Sequence, residues 1–224
     1  MTESQRILIV GGVAGGASAA ARARRLSESA EIILFERGEY ISFANCGLPY
    51  HIGEVIADRE KLLVQTPKAM RRRFNIDVRV FSEVTAIDRA AKEIEVKNVL
   101  TGDTYREKYD KLIISPGAEP IRPPLDGIGL DTIFTLRNIP DVDRIKAYVD
   151  EKQPKDAVIV GGGFIGLEVA ENLVHRGAKV TVVEMLDQIM APIDFEMAAI
   201  AQQHLRAKGV ELILGDGVKS FVKK

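Results

Sequence analysis

Short apolar runs and longer amphipathic stretches alternate along this chain. The runs Arg6-Ile7-Leu8-Ile9-Val10, Ile32-Ile33-Leu34-Phe35, Lys111-Leu112-Ile113-Ile114, Ala157-Val158-Ile159-Val160, Lys179-Val180-Thr181-Val182-Val183 and Glu211-Leu212-Ile213-Leu214 are strand-length. Residues 15–27 read as an alanine-rich helix, residues 67–75 as a second and residues 195–208 as a later one. In residues 138–152, Ile139, Val142, Ile145 and Val149 recur at helical spacing. Residues 78–81, 84–87, 93–99 and 105–109 read as short strands of a meander inserted into the first half, with Thr101-Gly102-Asp103 as a turn. Strands alternating with helices predict βαβ units and an α/β fold. Gln153-Pro154-Lys155 marks the boundary between two domains, residues 1–152 and 153–224.

Two of the strands run into glycine-rich turns. Gly11-Gly12-Val13-Ala14-Gly15-Gly16 follows the first, and Gly161-Gly162-Gly163-Phe164-Ile165-Gly166 follows the strand ending at Val160. Glycine permits the tight turn and close approach of the main chain to phosphates, while free amides and the positive end of the next helix stabilise their charge. Each turn is followed, about 20 residues on, by an acid at the end of the next strand, Glu36 and Glu184, able to bond ribose hydroxyls. Both turns therefore read as dinucleotide-binding turns. The first departs from the pattern, because Val13 stands where a second glycine usually allows the closest approach.

Charge and composition narrow the partners. With 31 basic against 32 acidic residues and a net charge of −1, the 224-residue chain carries no electrostatic signature of nucleic acid or of an anionic membrane surface. Its apolar runs are too short to span a bilayer, and no signal peptide is visible, since Glu3 and Arg6 bracket a polar start. The expected location is the cytoplasm. One cysteine, Cys46, excludes an internal disulfide framework, and His51, His175 and His204 lack metal-ligand spacing.

Further residues carry a family resemblance. The N-terminal turn, the stretch Ser42-Phe43-Ala44-Asn45-Cys46-Gly47-Leu48-Pro49-Tyr50, the strand end Ser115-Pro116-Gly117-Ala118, the run Thr135-Leu136-Arg137-Asn138 and the second turn with Gly166-Leu167-Glu168 together resemble the pyridine nucleotide-disulfide oxidoreductases. More narrowly they are similar to its single-cysteine branch of coenzyme A disulfide reductases, NADH oxidases and peroxidases, and NADH-dependent persulfide reductases. The resemblance implies two Rossmann-like domains of the glutathione-reductase type, binding FAD and then NAD. It implies flavin contacts from Gly11, Val13, Ala14, Gly15, Gly16, Glu36, Arg37, Asn45, Val84, Ser115, Gly117 and Arg137. Nicotinamide-nucleotide contacts would come from Gly161, Gly163, Phe164, Ile165, Gly166, Glu168 and Glu184.

Family members are about twice as long, adding the rest of the NAD domain, a return segment that completes the flavin site and a C-terminal dimerisation domain. A chain ending at Lys224 is expected to lack these parts, and the full-length protein is expected to be a homodimer. Glu184, followed by Met185-Leu186 and no arginine, favours NADH over NADPH, although Arg176 offers a route for a 2′-phosphate from elsewhere.

A thiolate is a nucleophile whose pKa falls at a helix start or beside a cationic or electron-poor group. Gly47-Leu48-Pro49-Tyr50-His51-Ile52 reads as a short helix with Cys46 at its N-terminal end, and in the resembled family the flavin ring lies against that sulfur. The alternative for Cys46 is a buried small hydrophobe; polar Ser42 and Asn45 beside it suit a substrate pocket better. Phe164 reads equally as an aromatic gate for the nicotinamide or as a core contact of its helix. Glu168 reads as a nicotinamide-side acid or a surface charge. Arg22 and Arg25 on the first helix and Arg71 to Arg73 on the next suit the phosphates of coenzyme A, with a solvated face as the alternative for Arg71 to Arg73.

The expected activity is FAD-dependent reduction, by NADH, of a coenzyme A disulfide, persulfide or polysulfide through Cys46. The rival enzyme reading is an NADH oxidase or peroxidase cycling a cysteine sulfenic acid. The reading from another class is a nucleotide-binding fragment without complete catalysis.

Overall fold

The computed structural model describes residues 4–223. Contacts group them into two compact units: residues up to Ala44 with Glu60–Ala118, and Asn45–Arg59 with the described residues from Glu119 onward. The sequence boundary at 152/153 lies inside the second of these units.

The first unit is built on a parallel sheet in the order β3-β2-β1-β7, from β1 (Arg6–Val10), β2 (Glu31–Phe35), β3 (Asp77–Arg79) and β7 (Lys111–Ile114). Side chains alternate across a strand, so successive residues of β1 and β2 feed two cores. Ile9, Ile32 and Leu34 pack with Ala17 and Ala20 of α1 (Ala14–Leu26) and Met70 of α3 (Pro67–Phe74). Leu8, Ile33 and Phe35 pack on the opposite face against Ile94 and Val96. Those two belong to the antiparallel meander β4 (Ser82–Asp88), β5 (Glu93–Asn98) and β6 (Thr104–Lys108).

One expected element is placed differently. The segment at 78–81 is not part of the meander: Asp77–Arg79 pairs in parallel with Ile33, Leu34 and Phe35. The cause is local to the end of α3. Thr66 caps that helix by accepting from the Ala69 amide at 3.1 Å, and Asn75 ends it in the left-handed conformation at φ +48°. The chain then returns to the sheet as a βαβ crossover does.

The second unit holds the parallel sheet β10-β9-β8, from β8 (Asp156–Val160), β9 (Lys179–Glu184) and β10 (Glu211–Leu214), with α5 (Phe164–His175) and α6 (Phe195–Ala207) following β8 and β9. Val158 and Val160 on β8 remain 63% and 56% exposed. α4 (Ile139–Lys152) starts at Asn138, whose side chain accepts from the Asp141 amide at 3.0 Å. The short α2 (Leu48–Ile52) joins this unit through its flanks. Arg59 grips Asp143 of α4 with two bonds of 2.7 Å, and Arg176 donates to the Ile52 carbonyl at 3.0 Å. No helix among the described residues is long and apolar enough to cross a membrane.

A charged network ties the meander to the sheet in the first unit. Glu107 of β6 accepts from Arg6 at 2.6 Å and from Arg79 at 2.5 Å, while Arg79 lies over the rings of Phe35 and Tyr105. Burial opposes ionisation of Glu107, yet hydrogen bonds from Arg79 and then Arg6 hold its carboxyl below the ordinary value. A depressed carboxylate contributes stability that is present above its unfolded pKa and is lost as pH falls through the folded one. Glu107→Gln should therefore lose roughly 1–3 kcal/mol at pH 7 in urea unfolding and show a flatter stability profile between pH 5 and pH 3 than the parent. Parallel profiles for the two proteins would refute the assignment.

Candidate dinucleotide turns and redox cysteine

The two glycine turns are built on one plan. Gly11 and Gly161 take φ values of +93° and +104°, conformations that glycine adopts without steric cost. Their amides donate to the next strand, to the Phe35 and Val183 carbonyls, both at 2.8 Å. The amides of Gly12 and Gly162 then donate to a carboxylate, Glu36 Oε2 at 2.7 Å and Glu184 Oε2 at 2.6 Å. The other oxygen of each acid accepts from the loop beyond its strand, from Gly38 at 2.8 Å and from Leu186 at 2.9 Å.

A further loop closes each turn from outside. Ser42 donates its amide to the Gly12 carbonyl at 3.0 Å, and Met190 donates to Gly162 at 2.8 Å. Both are left-handed non-glycine residues, at φ +45° and +52°. Each acid thus holds its turn's backbone, a role the sequence reading missed. Each carboxylate oxygen retains a second lone pair with which to accept a ribose hydroxyl.

The helices behind the turns begin open. α1 starts after Val13 and α5 after Gly163, and neither has a side-chain cap on its first amides. Ala14, Gly15, Gly163 and Ile165 are exposed there. Gly16 and Gly166 lie where a Cβ would stand 1.7 and 2.3 Å from the carbonyl oxygens of Gly11 and Gly161. At Gly15 a Cβ would meet the Ser115 hydroxyl at 2.3 Å, which places Ser115 at the first turn of α1. Unpaired amides beside a hydroxyl and a carboxylate are the donor and acceptor set that a diphosphate and its ribose require, so these residues fit FAD in the first unit and NAD in the second.

The remaining residues expected at the flavin and substrate sites divide between the two units. In the first, Arg37 lies 3.7 Å from Glu83, Val84 faces Val96 beside a bulge in β4, and Gly117 has φ +74°. Arg22 and Arg25 are exposed on α1. Their neighbour Arg24 instead donates to the carbonyls of Phe74 and Asn75 at 2.7 and 2.9 Å, pinning the ends of α1 and α3 side by side. Arg71 on α3 is largely exposed, 3.8 Å from Asp77. In the second unit, the Arg137 amide donates to Asp141 at 2.9 Å.

Cys46 and Asn45 stand in a 3-10 turn, Asn45–Gly47, that runs directly into α2. Cys46 is exposed among the described residues. Phe164 is 55% exposed at the start of α5. Glu168, half-buried, sits one turn further along that helix. Tyr50, absent from the sequence-derived site, follows Cys46 by four residues, a spacing that puts both on one helical face. Among the described residues no cluster of His, Cys, Asp and Glu could hold a metal.

Known proteins match this arrangement. The family described as pyridine nucleotide-disulphide oxidoreductase matches residues 5–224. The coenzyme A disulfide reductase of Staphylococcus haemolyticus is 38% identical over 218 residues, covering 96% of this chain and 48% of that protein. A Bacillus anthracis structure described as reduced CoADR-RHD superposes with a TM-score of 0.93 at 60% identity, covering 97% of this chain and 39% of its own. An NAD-dependent persulfide reductase from A. fulgidus gives a TM-score of 0.92 at 35% identity, over 98% of this chain and 41% of its own. The chain spans about half the length of the curated relatives it matches.

The crowded first turn gives a direct test. Gly11→Ala puts a Cβ 1.9 Å from the Ser115 carbonyl at a left-handed φ, so it should cost about 2–5 kcal/mol in chemical denaturation and weaken FAD binding. A variant as stable as the parent would show that the turn relaxes freely.

Proposed function

The chain belongs to the pyridine nucleotide-disulphide oxidoreductase family, and from that premise we propose that it carries the nucleotide turns and redox cysteine of an FAD-dependent NADH oxidoreductase reducing a coenzyme A-linked disulfide or persulfide. The observation that carries this reading is the position of Cys46. It is exposed on a helical turn continuous with α2, and α2 packs in the same unit against α5, the helix that opens at the second glycine turn. An exposed thiol on an element packed against the helix that follows a dinucleotide turn suits chemistry on sulfur.

In this reading residues 1–152 supply the first segment of the flavin domain and residues 153–224 part of the nicotinamide domain. Gly11 to Gly16, Glu36 and Ser115 hold FAD, which when bound supplies an electron-pair carrier between nicotinamide and sulfur. Cys46 does the chemistry of the chain itself. Its thiolate attacks the S–S bond of the substrate, a bond forms between Sγ and one substrate sulfur, and the other sulfur leaves as a thiolate. Asn45 orients the substrate beside it. Arg22, Arg25 and Arg71 bind the coenzyme A phosphates; Arg24 supports this by holding α1 and α3 together, so that both basic helices share one side of their unit. Phe164, exposed at the start of α5, screens the nicotinamide pocket until NADH displaces it. The site operates in the cytoplasm of a homodimeric full-length protein.

Glu184 selects the nucleotide. A carboxylate already fixed by two backbone amides accepts ribose hydroxyls and repels a 2′-phosphate. Purified protein should be yellow, and anaerobic NADH should bleach the flavin. Coenzyme A disulfide or persulfide should restore the colour in the parent but at least about a hundredfold more slowly in Cys46→Ser, with the NADH half-reaction intact. Equal loss of both half-reactions counts against the role of Cys46, and reoxidation by oxygen or peroxide faster than by sulfur substrates favours the oxidase reading. Glu184→Gln should narrow the preference for NADH over NADPH about tenfold; an unchanged ratio removes Glu184 from nucleotide selection.

A further inference from the structure

Gln202 is a polar side chain in the interior of the second unit that the reaction above leaves without a task. It lies buried on α6, and its Oε1 accepts from the backbone amide of Ile189, itself fully buried, at 3.2 Å. Ile189 belongs to the loop that follows β9. Its side chain covers the second glycine turn so closely that a Cβ at Gly162 would lie 2.8 Å from Ile189 Cγ2. The next residue, Met190, donates its amide to the Gly162 carbonyl at 2.8 Å from a left-handed backbone at φ +52°. One side-chain bond from α6 therefore sets the residue pair that clamps the turn.

The first glycine turn is clamped by an equivalent pair that is fastened differently. Ile41 packs over Gly12, where a Cβ would meet its Cγ2 at 2.7 Å, and the Ser42 amide donates to the Gly12 carbonyl at 3.0 Å. There the loop is held by main chain: the Ser42 carbonyl accepts from the amides of Val64 and Gln65 at 2.9 and 3.2 Å. In the second unit, other bonds of the loop stay within it or lie at its start. Gln188 Nε2 donates to the Ile193 carbonyl, the Ile193 amide to the Met190 carbonyl and the Gly215 amide to the Leu186 carbonyl, each at 2.9 Å. Gln202 ties the centre of the loop to a helix.

We propose that Gln202 is a positioning residue for the second glycine turn, fixing through Ile189 and Met190 the direction in which the Gly163 amide faces a nucleotide diphosphate. The assignment rests on the reading of that turn as a nicotinamide-nucleotide site. A peptide group is planar and trans, so the Gly162 carbonyl and the Gly163 N–H point in opposite directions within one plane. Met190 holds that carbonyl on one side, and the N–H is thereby turned to the other. Glu184 fixes the preceding peptide through the Gly162 amide at 2.6 Å, so both peptides flanking Gly162 are set before a ligand arrives. Gly163 is exposed and stands at the N-cap of α5 without a side-chain cap, where an N–H so directed suits a phosphate oxygen. Donors set in advance bind an anion without the cost of ordering the loop.

The test separates the diphosphate from the rest of the nucleotide and does not depend on turnover. Gln202→Met keeps the bulk of the side chain and removes its acceptor, so the purified protein should show faster hydrogen exchange at the Ile189 and Met190 amides. Calorimetry should find ADP-ribose bound about tenfold more weakly, while adenosine, read by NMR shift titration, stays within about twofold of the parent. Gln202→Glu retains an acceptor oxygen and should return both the exchange protection and the ADP-ribose affinity. If Gln202→Met does not fold, Gln202→Asn, too short to reach Ile189, should give the same losses. Unchanged exchange at Met190, unchanged ADP-ribose affinity, or equal weakening of adenosine and ADP-ribose overturns the proposal. A parent that binds neither NADH nor ADP-ribose sinks the nicotinamide reading of the turn; protection of Met190 lost in Gln202→Met and kept in Gln202→Glu then still upholds the hold of Gln202 on the turn.

Discussion

A carboxylate holding the backbone of a glycine turn is the interaction on which both units are organised. Glu36 and Glu184 each bridge the turn before a helix and the loop after the next strand. Hydrogen bonds from amides to an ionised acceptor contribute about 1.5–3 kcal/mol each. They fix the spacing between strand end, helix start and outer loop that a diphosphate must find already made. The acids shape the turn, and in the proposed reading the same carboxylates present their remaining lone pairs to a ribose. Repetition of this arrangement in two sheets, down to the left-handed Ser42 and Met190, identifies it as a unit of design and not as a local accident.

Position along the chain and position in space diverge at Cys46. Residues Asn45–Arg59 leave the first sheet's unit and pack with α4 and α5, anchored by the Arg59–Asp143 and Arg176–Ile52 bonds. The thiol therefore shares a compact body with the nicotinamide-type turn, although it follows the flavin-type turn in sequence. The left-handed Ser42, bonded to Gly12 on one side and accepting from Val64 and Gln65 on the other, marks where the chain makes that departure.

Much of this was legible in the residues. Strand-length apolar runs, helical spacing at Ile139, Val142, Ile145 and Val149, and the two glycine patterns specify local conformation, and local conformation is what short-range sequence encodes. The misplaced segment at Asp77–Arg79 shows the boundary of that information. Its neighbours in sequence suggested a hairpin, whereas its pairing with β2 is decided by a helix cap at Asn75 and by a strand some forty residues earlier. Exposure was illegible for the same reason. Whether Cys46 or Phe164 faces solvent depends on which helices pack beside them, and nothing in the residues flanking either one records that.

β8 combines two properties that are usually kept apart in native sheets. It stands at the margin of its three-stranded sheet, and its outward side chains Val158 and Val160 are apolar and bare. Parallel sheets are normally covered on both faces, and marginal strands are normally blunted by charge. This bare apolar strip runs straight into Gly161, so the second glycine turn is carried by a strand with one uncovered face.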